Sequence, residues 1–336
     1  MLNANAHKNY TASGDRDAEE LLKRVLSEMG ETLSGTELCV VLGGSYGRGD
    51  GGVRQDRENG ILYNDLDFFV FSRAPQKKDR ILLDEIARRY EKELKVDVDF
   101  SRTMSVNDIK NNSGRLMMQE LKRGYCLVSG EDLIEKYLQE LPAEDLPFSE
   151  ACRLFLNRGI GLLLAWEKIS ENSSDTDFVL RNINKAILGA CDAFLITEKK
   201  YKWSIGERLT EISNSALSAD CKTLYAQAVG FKKSPNRCVP SDLKTLWSTA
   251  RNVFKECMDS ACAEDIYLKC KAEREVSLKN FIKYCIKSRT FPLGNWKNYT
   301  VPAVAVLIKD VYQALDKQPD AEVEKSKLYQ QWLIFN

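Results

Sequence analysis

The stretch Leu38-Cys39-Val40-Val41-Leu42-Gly43-Gly44-Ser45 is an apolar run stopped by two glycines and a serine. A run of this length with this ending predicts a short buried strand followed by a turn. The glycines leave the backbone N–H groups after the strand unobstructed by Cβ atoms. A helix starting there would add the positive end of its dipole. Gly43, Gly44 and Ser45 are therefore candidate phosphate contacts, and Arg48, four residues past Gly44, is a further one. An ordinary strand-to-helix turn has the same composition, so the turn alone does not decide the chemistry.

Downstream, Ile61 to Phe71 alternates and then turns apolar, which predicts a second strand carrying Asn64-Asp65-Leu66-Asp67-Phe68. On a strand, residues two apart share a face, so Asp65 and Asp67 present two carboxylates together while Leu66 and Phe68 enter the core. Adjacent like charges repel unless a cation sits between them, and oxygen ligands suit Mg²⁺. Lys95 to Ser101 alternates strictly, with Val96, Val98 and Phe100 on one side and Asp97, Asp99 and Ser101 on the other, a third strand with more carboxylates. Each feature by itself also fits a solvated strand face. Together they form one arrangement, in which carboxylates from two strands stand beside a glycine turn. Metal ions held there would clamp a polyphosphate for in-line displacement.

Around these strands, Arg16–Met29, Asp79–Leu94 and Arg115–Arg123 have helical spacing, and Asp50–Asn59 reads as a charged, flexible loop. Past about Pro147 the strand signals stop. Glu150–Ile169, Phe178–Thr197, Thr210–Val229, Leu243–Ala263 and Val301–Leu315 all read as helices, the last with Thr300 as N-cap and Pro302 in its first turn. The expectation is an α/β (α+β) first domain over residues 1–146 and an all-helical second domain over 147–336, joined near Leu141–Phe148.

Composition narrows the function. Lys plus Arg equals Asp plus Glu, 49 against 49, so a long nucleic acid is a disfavoured partner. The most apolar segment, Leu154–Trp166, is too short and too polar to span a bilayer, which argues against a membrane protein. The ten cysteines are scattered without a C-x-x-C pair and the one histidine is His7, so zinc ligation is not expected and a reducing, cytoplasmic compartment is. A histidine-based nucleophilic mechanism would have to use His7, in a terminal segment.

The order Gly43-Gly44-Ser45, then Asp65-x-Asp67, then Asp97 resembles the nucleotidyltransferase fold of the DNA polymerase beta superfamily, over roughly residues 36 to 130. The resemblance implies a short mixed sheet flanked by helices, two Mg²⁺ ions and an NTP donor, with ATP expected. It implies transfer of a nucleoside monophosphate to a hydroxyl of a small molecule or a protein. By position, Asp65 and Asp67 would bind both metals, Asp97 the catalytic one, and Gly44 and Ser45 the β- and γ-phosphates. Asp99 shares a face with Asp97 and is the alternative third ligand. The stretch from Ser45 to Asp65 is longer than the family usually shows. The second half is similar, more loosely, to helical domains of small-molecule and antitoxin-type nucleotidyltransferases, which points to Lys185 as a triphosphate clamp. Tyr201 and Trp203 have rings that could stack a base, but core or interface packing is the expectation for them. The alternative function is a non-catalytic nucleotide-sensing or partner-binding module on the same fold.

Overall fold

The computed structural model describes residues 9–54, 60–74, 76–235, 242–262, 274–275, 282, 285–286, 301–302, 304–317, 322–323 and 326–334. The chain divides into two compact units, residues 1–146 with 230–236 and residues 147–229 with 237–336.

The first unit is a mixed four-stranded sheet flanked by helices. It opens with α1 (Arg16–Leu33), capped by the Asp15 side chain, which accepts from the Ala18 N–H at 3.1 Å. Glu19 in its first turn is buried and accepts from the N–H groups of Tyr10 and Thr11 and from the Thr11 hydroxyl, which fastens the preceding segment to the helix. Then follow β1 (Leu38–Leu42), the single turn α2 (Gly44–Gly47), β2 (Leu66–Ser72), α3 (Lys77–Leu94), β3 (Val98–Phe100), α4 (Val106–Asn111), α5 (Leu116–Arg123), β4 (Cys126–Ser129) and α6 (Leu133–Tyr137). The sheet order is β3-β2-β1-β4, with β1 antiparallel to both β2 and β4 and β2 parallel to β3.

Both faces of the sheet are covered, which explains why β1 is apolar at every position. Leu38, Val40 and Leu42 of β1, Leu66, Phe68 and Val70 of β2, and Val98 and Phe100 of β3 pack with Leu22, Val25 and Met29 of α1 and Leu83, Ile86 and Tyr90 of α3. Cys39, Val41 and Phe71 pack on the other face with Ile109, Met118, Leu121, Leu133 and Ile134. The exposed edge strand β3 is capped by α3: the Val98 N–H donates to Glu91 Oε1 at 3.4 Å, and Arg80 Nη1 donates to the Phe100 carbonyl at 2.9 Å.

Two strands start later than the alternation predicts. Residues 61–63 do not extend β2. They pair back on residues 52–54, through the Arg54 N–H to Ile61 O at 2.8 Å and the Tyr63 N–H to Gly52 O at 3.1 Å. The base of the expected loop is thus a small ladder, while residues 55–59 lie outside the described residues. β4 has no sequence signal, being four half-buried residues without alternation.

The second unit is mostly helical: α7 (Phe148–Ser170), α8 (Thr176–Thr197), α9 (Ile205–Ser213), α10 (Ala219–Lys233), which runs into the segment counted with the first unit, and α11 (Leu243–Cys262), followed by helices Val304–Asp316 and Lys327–Trp332. The single helix expected over Thr210–Val229 is two, broken at Asn214, where Ser218 caps the second by accepting from the Cys221 N–H at 3.2 Å. The all-helical expectation is also corrected. Arg274–Glu275 and Val301–Pro302 form a short antiparallel ladder, so Pro302 is a strand residue and the helix begins at Val304. Thr300, the expected cap, lies outside the described residues. Among the described residues no helix is long and apolar enough to cross a membrane.

Candidate functional site

The glycine turn and the carboxylate strand are built against each other. Gly44 has φ +59°, a conformation that an L side chain adopts at a cost. A Cβ built on it would stand 2.2 Å from Asp67 Oδ2, so the Asp67 carboxylate lies directly over the Gly44 backbone. The Gly43 N–H donates to the Asp67 carbonyl at 2.8 Å, which locks the turn to β2 at that residue. Ser45 follows half-buried in α2. The helix expected to lend its dipole to a phosphate is a single turn of four residues, so the macrodipole adds little and the local N–H groups carry any such role.

Tyr46, which sequence reasoning passed over, fastens the other side. Its ring is buried and its hydroxyl donates to the Gly52 carbonyl at 2.8 Å. The same oxygen accepts from the N–H groups of Tyr63 at 3.0 Å and Asn64 at 3.2 Å. Burial pushes the phenol well above its ordinary range. Asn64 Oδ1 in turn accepts from the Gly52 N–H at 2.8 Å. One residue of the turn motif thus holds the backbone immediately before Asp65. The signal was present, as an aromatic residue inside a glycine-rich turn, but nothing in sequence says which backbone groups its hydroxyl meets.

The carboxylates sit on one patch of sheet. In the parallel register Asp67 is the Cα partner of Asp99, and the Leu66 N–H donates to the Asp97 carbonyl at 2.9 Å, so Asp65 and Asp97, expected within the strands, lie side by side just before their first residues. Asp67, Asp97 and Asp99 are exposed and Asp65 is half-buried, alternating with buried Leu66, Phe68, Val96, Val98 and Phe100. Burial, then the charges of Asp97 and Asp65, raise the Asp99 carboxyl above its ordinary value. The register thus favours Asp99 as the group opposite Asp67, while the apolar–Asp–apolar pattern at Val96-Asp97-Val98 favours Asp97. Among the described residues, the ligand atoms of three acidic groups do not close to within 4.8 Å of one another.

Arg48 ends α2 and pairs with Glu120 of α5, Nη1 to Oε2 at 3.4 Å. Asp50 pairs with Lys232 at 3.7 Å, and Tyr63 meets Phe231 edge-on at 6.0 Å, both partners lying in the 230–236 segment that belongs to the first unit. Lys232 is a basic side chain beside the turn that its place in the sequence does not foreshadow. Lys185 is an exposed residue of α8 in the second unit. Tyr201 packs in the core, as expected, and not as a stacking platform: it is buried, its hydroxyl accepts from Arg208 Nη1 at 3.1 Å, and its ring packs edge-on against Trp203.

Compared with protein-family models and with curated proteins, the chain matches none.

Proposed function

We propose that the chain is a Mg²⁺-dependent nucleotidyltransferase, with a nucleotidyltransferase-type sheet in residues 1–146 and a helical second domain. It moves a nucleoside monophosphate, AMP by expectation, from an NTP to a hydroxyl of a small molecule or a protein, in a cytoplasmic setting. One observation carries this reading: the Asp67 carboxylate occupies the space that a side chain at Gly44 would fill. A glycine turn that admits a carboxylate over its backbone brings N–H donors and anionic ligands to one point, which suits a polyphosphate bridged to a metal ion.

The donor set fits the ion. Asp65 and Asp67, with Asp97 or Asp99, offer only hard oxygen, the ligand type Mg²⁺ prefers. When bound, the ions neutralise phosphate charge and stabilise the attacking and leaving oxygens. The chain's own residues do the rest. Gly44 and Ser45 orient the phosphates through backbone N–H groups and the Ser45 hydroxyl, while the Gly43 N–H, expected as a further contact, is taken by the Asp67 carbonyl. Tyr46 holds the approach to Asp65. The carboxylate of the third strand stands ready to accept the proton of the acceptor hydroxyl. Arg48 and Lys185 are candidates for additional phosphate contact.

The test is incubation of the protein and Mg²⁺ with labelled ATP, GTP, CTP or UTP in lysate, followed by a search for the molecule that gains label. Transfer that is lost in Asp65→Asn and Asp67→Asn while both variants stay folded supports the reading. Nucleotide binding without transfer to any acceptor replaces it with the nucleotide-sensing module.

A further inference from the structure

Three cysteines that no spacing rule connects meet in the second unit. Cys191 lies on α8, Cys221 on α10 and Cys257 on α11, and all three are buried. Their sulfurs form a nearly equilateral triangle, 3.7 Å from Cys191 to Cys221, 3.7 Å from Cys191 to Cys257 and 3.9 Å from Cys221 to Cys257. Among the described residues this is the one set of three ligating side chains gathered so closely.

We propose that Cys191, Cys221 and Cys257 form a thiolate site for a single soft, thiophilic metal ion. The dimensions carry the proposal. Four sulfurs around zinc at about 2.3 Å lie about 3.8 Å apart, and three around an ion in their own plane lie about 4.0 Å apart. The observed triangle falls at that spacing, so an ion less than about 1 Å from the sulfur plane reaches all three without moving a helix. One ligand comes from each of three helices, so the ion would staple the bundle together. Sulfur-only ligation selects soft ions such as Cu⁺ and Zn²⁺ and rejects Mg²⁺, which makes the site independent of the carboxylate patch in the first unit.

The thiol chemistry agrees. Each sulfur lies within hydrogen-bond reach of the other two. On binding, each S–H bond releases its proton to solvent as a metal–sulfur bond forms. The three described ligands favour the three-coordinate ion, Cu⁺. A fourth ligand would favour Zn²⁺.

The test uses the full chain, reduced and stripped of metal, titrated anaerobically with Cu⁺, Zn²⁺ or Cd²⁺ in separate arms. The expected result is one ion per chain, with a sulfur-to-metal charge-transfer band that saturates at a 1:1 ratio. X-ray absorption of the loaded wild-type protein should count at least three sulfur neighbours. The band should disappear in Cys191→Ala, Cys221→Ala and Cys257→Ala and persist in Cys126→Ala, which lies on β4 of the other unit. Failure of all three ions to bind stoichiometrically, or a sulfur count below three, overturns the proposal. Because the sulfur count is read on the wild-type chain, a variant that fails to fold does not blunt the test.

Discussion

Tyr46→Phe removes one oxygen atom, and the structure says what that oxygen does. It receives the N–H groups of Tyr63 and Asn64 and donates to the Gly52 carbonyl. These losses are unequal. The Tyr63 N–H also donates to the Gly52 carbonyl at 3.1 Å, so both of those groups keep a partner after the substitution. The Asn64 N–H, partly buried, loses the acceptor described for it. One stranded donor costs about 1–3 kcal/mol, and two weakened bonds add roughly 0.5 kcal/mol each. The ring stays, so no cavity adds to this. A total near 2–4 kcal/mol lowers Tm by about 4–16 °C for a cooperative unit of this size. Scanning calorimetry of wild type and variant reads the shift directly. The residue released is the one before Asp65, so hydrogen exchange should accelerate at Asn64 and NTP turnover should fall in the same variant. A Tm within about 1 °C of wild type would mean that the hydroxyl is not the fastener described here and that the motif's tyrosine acts through its ring alone.

Other substitutions probe the same patch. Asp65→Asn and Asp67→Asn should each lower turnover by at least about 100-fold, as loss of a charge-stabilising group does, while Tm holds or rises because a like charge is gone. Gly44→Ala should cost about 1–2 kcal/mol through its positive φ, with a further loss from displacing the Asp67 carboxylate; it should be as inactive as Asp67→Asn but, unlike that variant, less thermostable. Asp99 has its folded-state value raised, first by burial and then by Asp97 and Asp65, so its ionisation opposes folding. The wild type should therefore lose stability as pH rises from the unfolded carboxylate value, about 4, through the raised folded value, and Asp99→Asn should lack that loss. The Tm gap between the two should widen from about pH 4 to about pH 7, and a gap that does not change with pH refutes the assignment. Comparing Asp97→Asn with Asp99→Asn for turnover decides which of the two completes the carboxylate set.

What was legible in the sequence was what local periodicity encodes. Leu38–Leu42, the Gly43-Gly44 turn and the strand at Val98–Phe100 have the expected conformation, because burial on two faces of a sheet leaves a direct trace in residue type, although that strand begins three residues later than the alternation from Lys95 predicts. Contacts made by single atoms were not legible. Ile61–Tyr63 alternates like a strand of the main sheet, yet it folds back on Gly52 and Arg54, the Ile61 carbonyl accepting from the Arg54 N–H and the Tyr63 N–H donating to the Gly52 carbonyl and the Tyr46 hydroxyl. The choice between Asp97 and Asp99 depends on the β2–β3 register, which a parallel pair joined through α3 does not reveal in one dimension. The cysteine triangle was hidden for the same reason. Paired-cysteine motifs encode sites made by one turn or loop, whereas Cys191, Cys221 and Cys257 are brought together by three helices packing.

The carboxylate patch is also costly to the fold, and that cost bears on its purpose. Like charges facing each other across adjacent strands, as Asp67 and Asp99 do, are destabilising by a fraction of a kcal/mol to about 1 kcal/mol. The repulsion returns no packing: Asp67 and Asp99 are exposed, and the space over Gly44 holds a charged oxygen rather than a methyl group. Asn at both aspartates would keep the strand geometry and remove the repulsion. Elsewhere in the same sheet the sequence follows the rules of burial closely, with β1 buried throughout and apolar residues filling both of its faces. The like charges at Asp67 and Asp99 are a local inconsistency at a place where a cation would add stabilisation. A cation bound there, as proposed, would convert the repulsion into binding energy. The purified chain should therefore gain thermal stability when Mg²⁺ and an NTP are added together, and Asp67→Asn should abolish that gain.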